Sequence, residues 1–176
     1  MSRVLIICDV QNDFCEGGAL AVTGGAQLAR DVSAMLADGG PWDHIVATKD
    51  FHIDPGNHFQ EWPVHCVAGT TGSEFRPELA TDRIEAVFHK GAYAAAYSAF
   101  EGVSDGTDLA QWLRGHDITD VGLVGIATDF CIRYTGLDAA RMGFATAVLT
   151  DLTAAITPDG GTRALAELAE NGVTLK

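Results

Sequence analysis

The stretch DVGLVGIATDFCIRYTGLDAARMG, Asp120 to Gly143, reads as two elements joined without a linker. DVGLVGIA is short and very apolar, the pattern of a strand buried on both faces. TDFCIRYTGLDAARMG predicts a helix that begins near Thr128 or Asp129. A strand that feeds directly into a helix is half of a strand–helix–strand unit. The same alternation recurs on both sides. RVLIICDV predicts a strand ending near Asp9, and GGAQLARDVSAMLADGG a helix with glycines at its end. HIVATKD predicts a second strand ending near Asp50, and IEAVFHK a third ending near Lys90. DLAQWLRGH is a helix, FATAVLTD a strand ending near Asp151, GGTRALAELAENG a helix, and VTLK a short last strand. Strands alternating with helices predict an α/β fold, a parallel sheet covered by helices on both faces. Repeats, low-complexity tracts and linkers are absent, so residues 1–176 read as one domain.

Composition narrows the function classes. The formal net charge is −13, which makes nucleic acid and anionic membrane poor partners. No run approaches the roughly 18 apolar residues of a membrane helix. MSRVLIICDV is too short for a signal peptide, and the four cysteines form no CxxC pair. The expectation is free thiols in a reducing cytoplasm. A small molecule is the expected partner, bound by a monomer or a homo-oligomer.

In parallel sheets of this kind, ligands bind beyond the carboxyl ends of the strands. Asp9, Asp50, Lys90, the Ile126–Cys131 turn and Asp151 should gather there. Cys131 falls in the first turn or so of its helix, where the helix dipole and free amides lower a thiol's pKa. Such a thiolate is a nucleophile; the other reading is a buried, inert cysteine. Asp9 is either a base for that thiol or a cap for a loop amide. Lys90 either reaches solvent or finds a carboxylate.

Between Asp50 and Trp62 lies the start of a long irregular segment, roughly 51–83. A loop of that length in a compact domain is usually functional. KDFHIDPGNHFQEWPVHC, Lys49 to Cys66, carries three of the six histidines. Asp50 and His52 share one side of an extended chain, and His58 and His65 can fold back from the loop. One carboxylate and two or three imidazoles suit a divalent metal, zinc, iron or manganese, with an open position for a ligand. The alternative is a loop of solvated histidines. His44, His89 and His116 stand apart. Phe14, Trp62, Tyr93 and Tyr97 lie near the strand ends and either wall a pocket for a flat ring or belong to the core.

Five motifs in order, DVQNDFCEGGALAV, TKDFHIDPGNHF, WPVHCVAGTTGSEF, VFHKGAYAAAYSAFEG and GIATDFCIRYTGLDAA, resemble the bacterial nicotinamidases, which are isochorismatase-like cysteine hydrolases. The resemblance runs from Val4 to about Thr153. It implies a Rossmann-like fold with a six-stranded parallel sheet. It implies Cys131 as nucleophile, Asp9 as base and Lys90 as third catalytic residue. It implies Asp50, His52 and His65 as ligands of one divalent metal, with His58 a further ligand in some members. It places Phe14, Trp62, Tyr93, Tyr97 and Ala127 in the substrate pocket. The Ile126–Ala127 bond would be cis, and the amides of Ala127 and Cys131 would form an oxyanion hole. The activity implied is hydrolysis of nicotinamide in NAD salvage, with pyrazinamide a further substrate. Three other functions stay open at this point. They are an amidase acting on carbamoyl or ureido compounds, a hydrolase attacking with metal-bound water, and a non-catalytic binding module.

Overall fold

Val4, Ile6 and Cys8 of the first strand pack on one side of the sheet, and Leu5 and Ile7 on the other. The two-residue period of a strand requires this split, and it sets up two cores, one per face. The computed structural model describes residues 1–176. Its elements are β1 (Ser2–Cys8), α1 (Gly25–Ala37), β2 (His44–Asp50), α2 (His58–Glu61), β3 (Ala86–Lys90), β4 (Val103–Ser104) and β5 (Thr107–Asp108). Then follow α3 (Leu109–Gly115), β6 (Ile118–Ile126), α4 (Arg133–Arg141), β7 (Ala145–Ala154), α5 (Pro158–Glu170) and β8 (Thr174–Leu175).

Leu28, Ala29, Val32 and Leu36 form the buried stripe of α1, at the spacing of one helix face. They close one core together with Ile45, Ala47, Val124 and Ile126. Leu109 and Leu113 of α3, Leu137 of α4 and Leu168 of α5 close the other, against Val46, Phe88 and Leu123. Helices therefore cover both faces of the sheet, as expected. Thr157 caps α5 by accepting from the Gly160 amide, and Pro158 occupies its first turn, where no hydrogen bond is lost. No helix is long and apolar enough to cross a membrane.

Strand order is β5-β4-β3-β2-β1-β6-β7-β8. The six strands read from the sequence are all parallel. The sheet nevertheless has eight strands, because β4 and β5 add an antiparallel hairpin beside β3. Asp105 and Gly106 turn that hairpin with φ of 48° and 81°. Positive φ at both central residues is the signature of a type I′ turn. A second difference concerns β7, which continues past Asp151 to Ala154 after a register shift against β6. Asp151 is left exposed on the strand and does not join the carboxyl-end cluster.

The chain order reverses between β1 and β6, which opens a crevice at their carboxyl ends. The two strands approach closely there. A Cβ on Gly125, whose φ is 119°, would lie 2.1 Å from the Cys8 carbonyl oxygen. Only glycine permits that approach.

Candidate active site

Asp9 leaves β1 with a φ of 48°, a left-handed conformation that Asp tolerates better than most residues. Asp50 and Lys90 end β2 and β3 and are direct partners in register. Cys131 enters from beyond β6. The helix expected from Thr128 begins instead as a π-helical turn, Thr128–Ile132, and becomes α-helical at Arg133. The Ile126–Ala127 bond is cis.

These four side chains meet at the Lys90 ammonium. Its Nζ lies 2.8 Å from Asp9 Oδ2, forms a short ion pair with Asp50 Oδ1, and donates to the Ala96 carbonyl at 3.2 Å. Cys131 Sγ is 3.7 Å away. An ammonium has three protons, and here they go to Asp50 Oδ1, the Ala96 carbonyl and Cys131 Sγ, while Asp9 Oδ2 completes the cluster as an ion pair. Asp9, Asp50, Lys90 and Cys131 are all buried.

Burial and charge pull these groups apart. Burial raises the Asp9 carboxyl above its ordinary range, although Lys90 pulls it down. Burial would also raise Asp50, but Lys90, His52 and His65 outweigh it and hold that carboxyl well below the usual range. Burial would lower Lys90, yet the two carboxylates keep it firmly protonated. Cys131 departs from expectation. Burial, and then the charge of Asp9, push its thiol well above the ordinary value, against the pull of Lys90. The helix terminus does not prevail, because the sulfur faces a carboxylate inside a desolvated pocket. The resting pair is a thiol beside a carboxylate of raised proton affinity.

His52, His58 and His65 form the second half of the site. Each offers one ligand atom, and these atoms lie within 4.8 Å of one another. Asp50 Oδ2 is 3.5 Å from His52 Nε2 and 3.7 Å from His65 Nε2. The His52 Nδ1 is 2.6 Å from the Gly91 carbonyl, and the His65 Nδ1 is 2.6 Å from the Pro63 carbonyl. A carbonyl only accepts, so both Nδ1 atoms carry a proton, and the Nε2 atoms are the ones free to turn toward a metal. His52 Nε2 and both ring nitrogens of His58 are buried with no hydrogen-bond partner. Burial, with His52 and His65 adjacent, lowers His58 to about 4, so its ring is neutral at pH 7. Buried imidazole nitrogens without partners, gathered beside a carboxylate, fit a divalent metal. His58 belongs to this group as closely as the other two. Gly91 makes room for His52: a Cβ there would lie 2.7 Å from His52 Cε1.

The two halves border one mostly apolar pocket with polar groups at one end, the usual make-up of a small-molecule site. Phe14, Trp62, Tyr97, Ala127 and Cys131 line it, with Asp50, His58 and His65 at one end. Trp62 Nε1 donates to the Tyr97 hydroxyl at 3.1 Å, which fixes the two rings relative to each other. Tyr93 is not in the wall; it is 71% exposed. The chain turns at Gly91, and the Ala92 carbonyl accepts from the Ile53 and Asp54 amides, which leaves Tyr93 on the outer side of the loop.

Sequence reasoning missed several members. Leu20, Val22, Phe130 and Ile156 also line the pocket, and no local pattern sets them apart from core residues. Gln11 is fully buried behind Asp50. Its side-chain amide donates to the carbonyls of Asp50 and Ser73 at 2.9 and 2.8 Å, and its oxygen accepts from the Asp50 amide at 2.9 Å. The available signal was a polar residue with a large amide inside an otherwise buried turn. Gln11→Leu strands three buried backbone groups, each costing about 1–3 kcal/mol. The expected loss is about 3 kcal/mol or more, a fall in unfolding temperature of roughly 6–12 °C. Thermal unfolding checks this, and a midpoint within about 2 °C of wild type would contradict it.

Comparison with known proteins follows this geometry. The Isochorismatase domain model matches residues 3–175. The chain is 57% identical over 181 residues to a nicotinamidase/pyrazinamidase of Mycobacterium tuberculosis, covering 98% of this chain and 97% of the relative. Among solved structures it is similar to PnC1 from L. infantum in complex with nicotinate, at 38% identity and a TM-score of 0.90, covering 99% of this chain and 92% of that one. It is also similar to the pyrazinamidase of Pyrococcus horikoshii in complex with zinc, at 37% identity and a TM-score of 0.84, covering 100% and 99%.

Proposed function

The chain belongs to the isochorismatase family, and from that premise we infer that it hydrolyses nicotinamide to nicotinate and ammonia. It is an amidohydrolase acting on a linear amide, and its reaction serves NAD salvage. One observation carries the reading. Lys90 Nζ ties Asp9 at 2.8 Å, Asp50 by an ion pair, and Cys131 at 3.7 Å into one buried cluster, so a nucleophile and a candidate metal site open on one pocket.

We assign Cys131 as nucleophile, Asp9 as base and Lys90 as the cation that keeps Asp9 ionised against its burial. Phe14, Trp62 and Tyr97 hold the flat pyridine ring. Asp50, His52, His58 and His65 would hold one divalent ion, and their donors accept zinc, iron or manganese. Bound there, such an ion supplies a positive charge that anchors the ring nitrogen, directly or through water, and so orients the carboxamide. Asp9 takes the Cys131 proton, and the thiolate attacks the amide carbon. The amides of Ala127 and Cys131 stabilise the resulting oxyanion. Asp9 returns the proton to the departing ammonia, leaving a thioester on Cys131. Asp9 then deprotonates water, which attacks the thioester and releases nicotinate. Pyrazinamide, a near-isostere, follows the same course. The functional unit is the whole of residues 1–176. The four free cysteines suit a reducing compartment, the cytoplasm.

The test is ammonia release from nicotinamide by metal-replete, reduced protein, before and after chelation verified by metal analysis. Release that chelation stops is the expected result. Release that survives proven metal loss would remove the metal anchor from the reading. No release at all would move the assignment to amides of the carbamoyl or ureido class.

A further inference from the structure

We propose that Thr48 is a positioning residue that decides which oxygen of Asp9 faces the nucleophile; the proposal rests on Asp9 being the base for Cys131. Thr48 lies on β2, fully buried, directly opposite Cys8 in register and therefore beside Asp9. Its neighbours Val46 and Ala47 are buried and apolar. Valine would fill the same volume in such a strand. A hydroxyl there is costly unless it finds a partner.

The partner is Asp9. Thr48 Oγ1 donates to Asp9 Oδ1 at 2.6 Å, and the Asp9 amide donates to the Thr48 carbonyl at 3.3 Å. Side chain and backbone of Asp9 are thus tied to one residue. An Asp carboxylate turns in a broad, roughly two-fold well about its terminal torsion, so its oxygens could exchange places. With Oδ1 held by Thr48, Oδ2 is the oxygen turned to Lys90 Nζ at 2.8 Å, and that same ammonium is 3.7 Å from Cys131 Sγ. Thr48 does not line the pocket; it acts through Asp9.

The test compares Thr48→Val, Thr48→Ala and Thr48→Ser with wild type. It reads kcat and KM for ammonia release, metal content, and the rate at which iodoacetamide alkylates Cys131 at fixed pH, assigned by peptide mapping. Misplacing a reacting group by about 1 Å can cost roughly 100-fold, so Thr48→Val should lower kcat by about 10–100-fold and slow alkylation in parallel. KM should stay within about twofold, because ring binding is untouched. Metal content should not change. Thr48→Ser, which keeps the donor, should recover both rates to within about threefold of wild type. If the valine variant does not fold, the Ala and Ser pair decides in the same way. Wild-type rates without the hydroxyl, or equal losses in Ala and Ser, overturn the proposal. Alkylation needs no nicotinamide turnover, so a failure of the assigned reaction would show in wild type and leave the Thr48 comparison intact.

Discussion

Cys131→Ala releases ammonia from nicotinamide at least about 10⁴-fold more slowly than wild type, a loss near 5.5 kcal/mol of transition-state stabilisation. The magnitude follows from covalent catalysis. Without sulfur no thioester forms, and neither Asp9 nor the amides proposed to hold the oxyanion can supply a replacement nucleophile. The same variant keeps its metal content, because the histidine donors cluster without Cys131. It also keeps its fold, since the side chain faces a pocket. The measurement is steady-state ammonia release, paired with metal analysis and thermal unfolding. The outcome separates two chemistries. If metal-bound water were the attacking group, removing a thiol would leave most of the rate in place.

His52→Ala loses the metal. His52 is fully buried, its Nδ1 is held by the Gly91 carbonyl, and its Nε2 faces Asp50 at 3.5 Å without a hydrogen bond. Changes in the groups that merely orient a ligand already cost about 10–100-fold in metal affinity. Removing the ligand itself should cost at least about 100-fold, and ammonia release should fall to the level of chelated wild type. Metal content after dialysis, by mass spectrometry, checks the first part. Full occupancy together with full activity in this variant would sink the metal assignment.

Much of the fold was legible because its signals are local. β1, β2, β3 and β6 are short apolar runs that end on Asp9, Asp50, Lys90 and the Ile126–Ala127 step. Each end marks a place where a buried strand meets polar chemistry. The hairpin β4–β5 escaped notice, although Asp105-Gly106 is a recognised turn pair, because two-residue strands leave no alternation to read. The end of β7 was misjudged because a register shift against β6 depends on the neighbouring strand, not on its own sequence.

For the site, residue types pointed to Cys131, the carboxylates and the histidines, because such groups are rare in a buried setting. Tyr93 and Tyr97 look alike in sequence, and only the turn at Gly91 sends one outward. The environment of Cys131 was equally hidden. A helix start argues for a low thiol pKa, whereas burial against Asp9 raises it, and that contact joins residues 122 positions apart. Thr48 and Gln11 make side-chain hydrogen bonds to partners distant in sequence, which no periodicity reveals.

The sheet ends at both margins in strands of only two residues, β5 on one side and β8 on the other. A long free margin would present a ladder of unpaired amides and carbonyls, a template for another chain to extend. β3, which carries Lys90, meets the β4–β5 hairpin at one pair, His89 with Val103, so the hairpin interrupts the outer side of β3 near its carboxyl end. At the other margin β8 does the same for β7, pairing Thr174 and Leu175 with Ala147 and Val148. Each margin of the sheet therefore offers a second chain only a short, broken ladder.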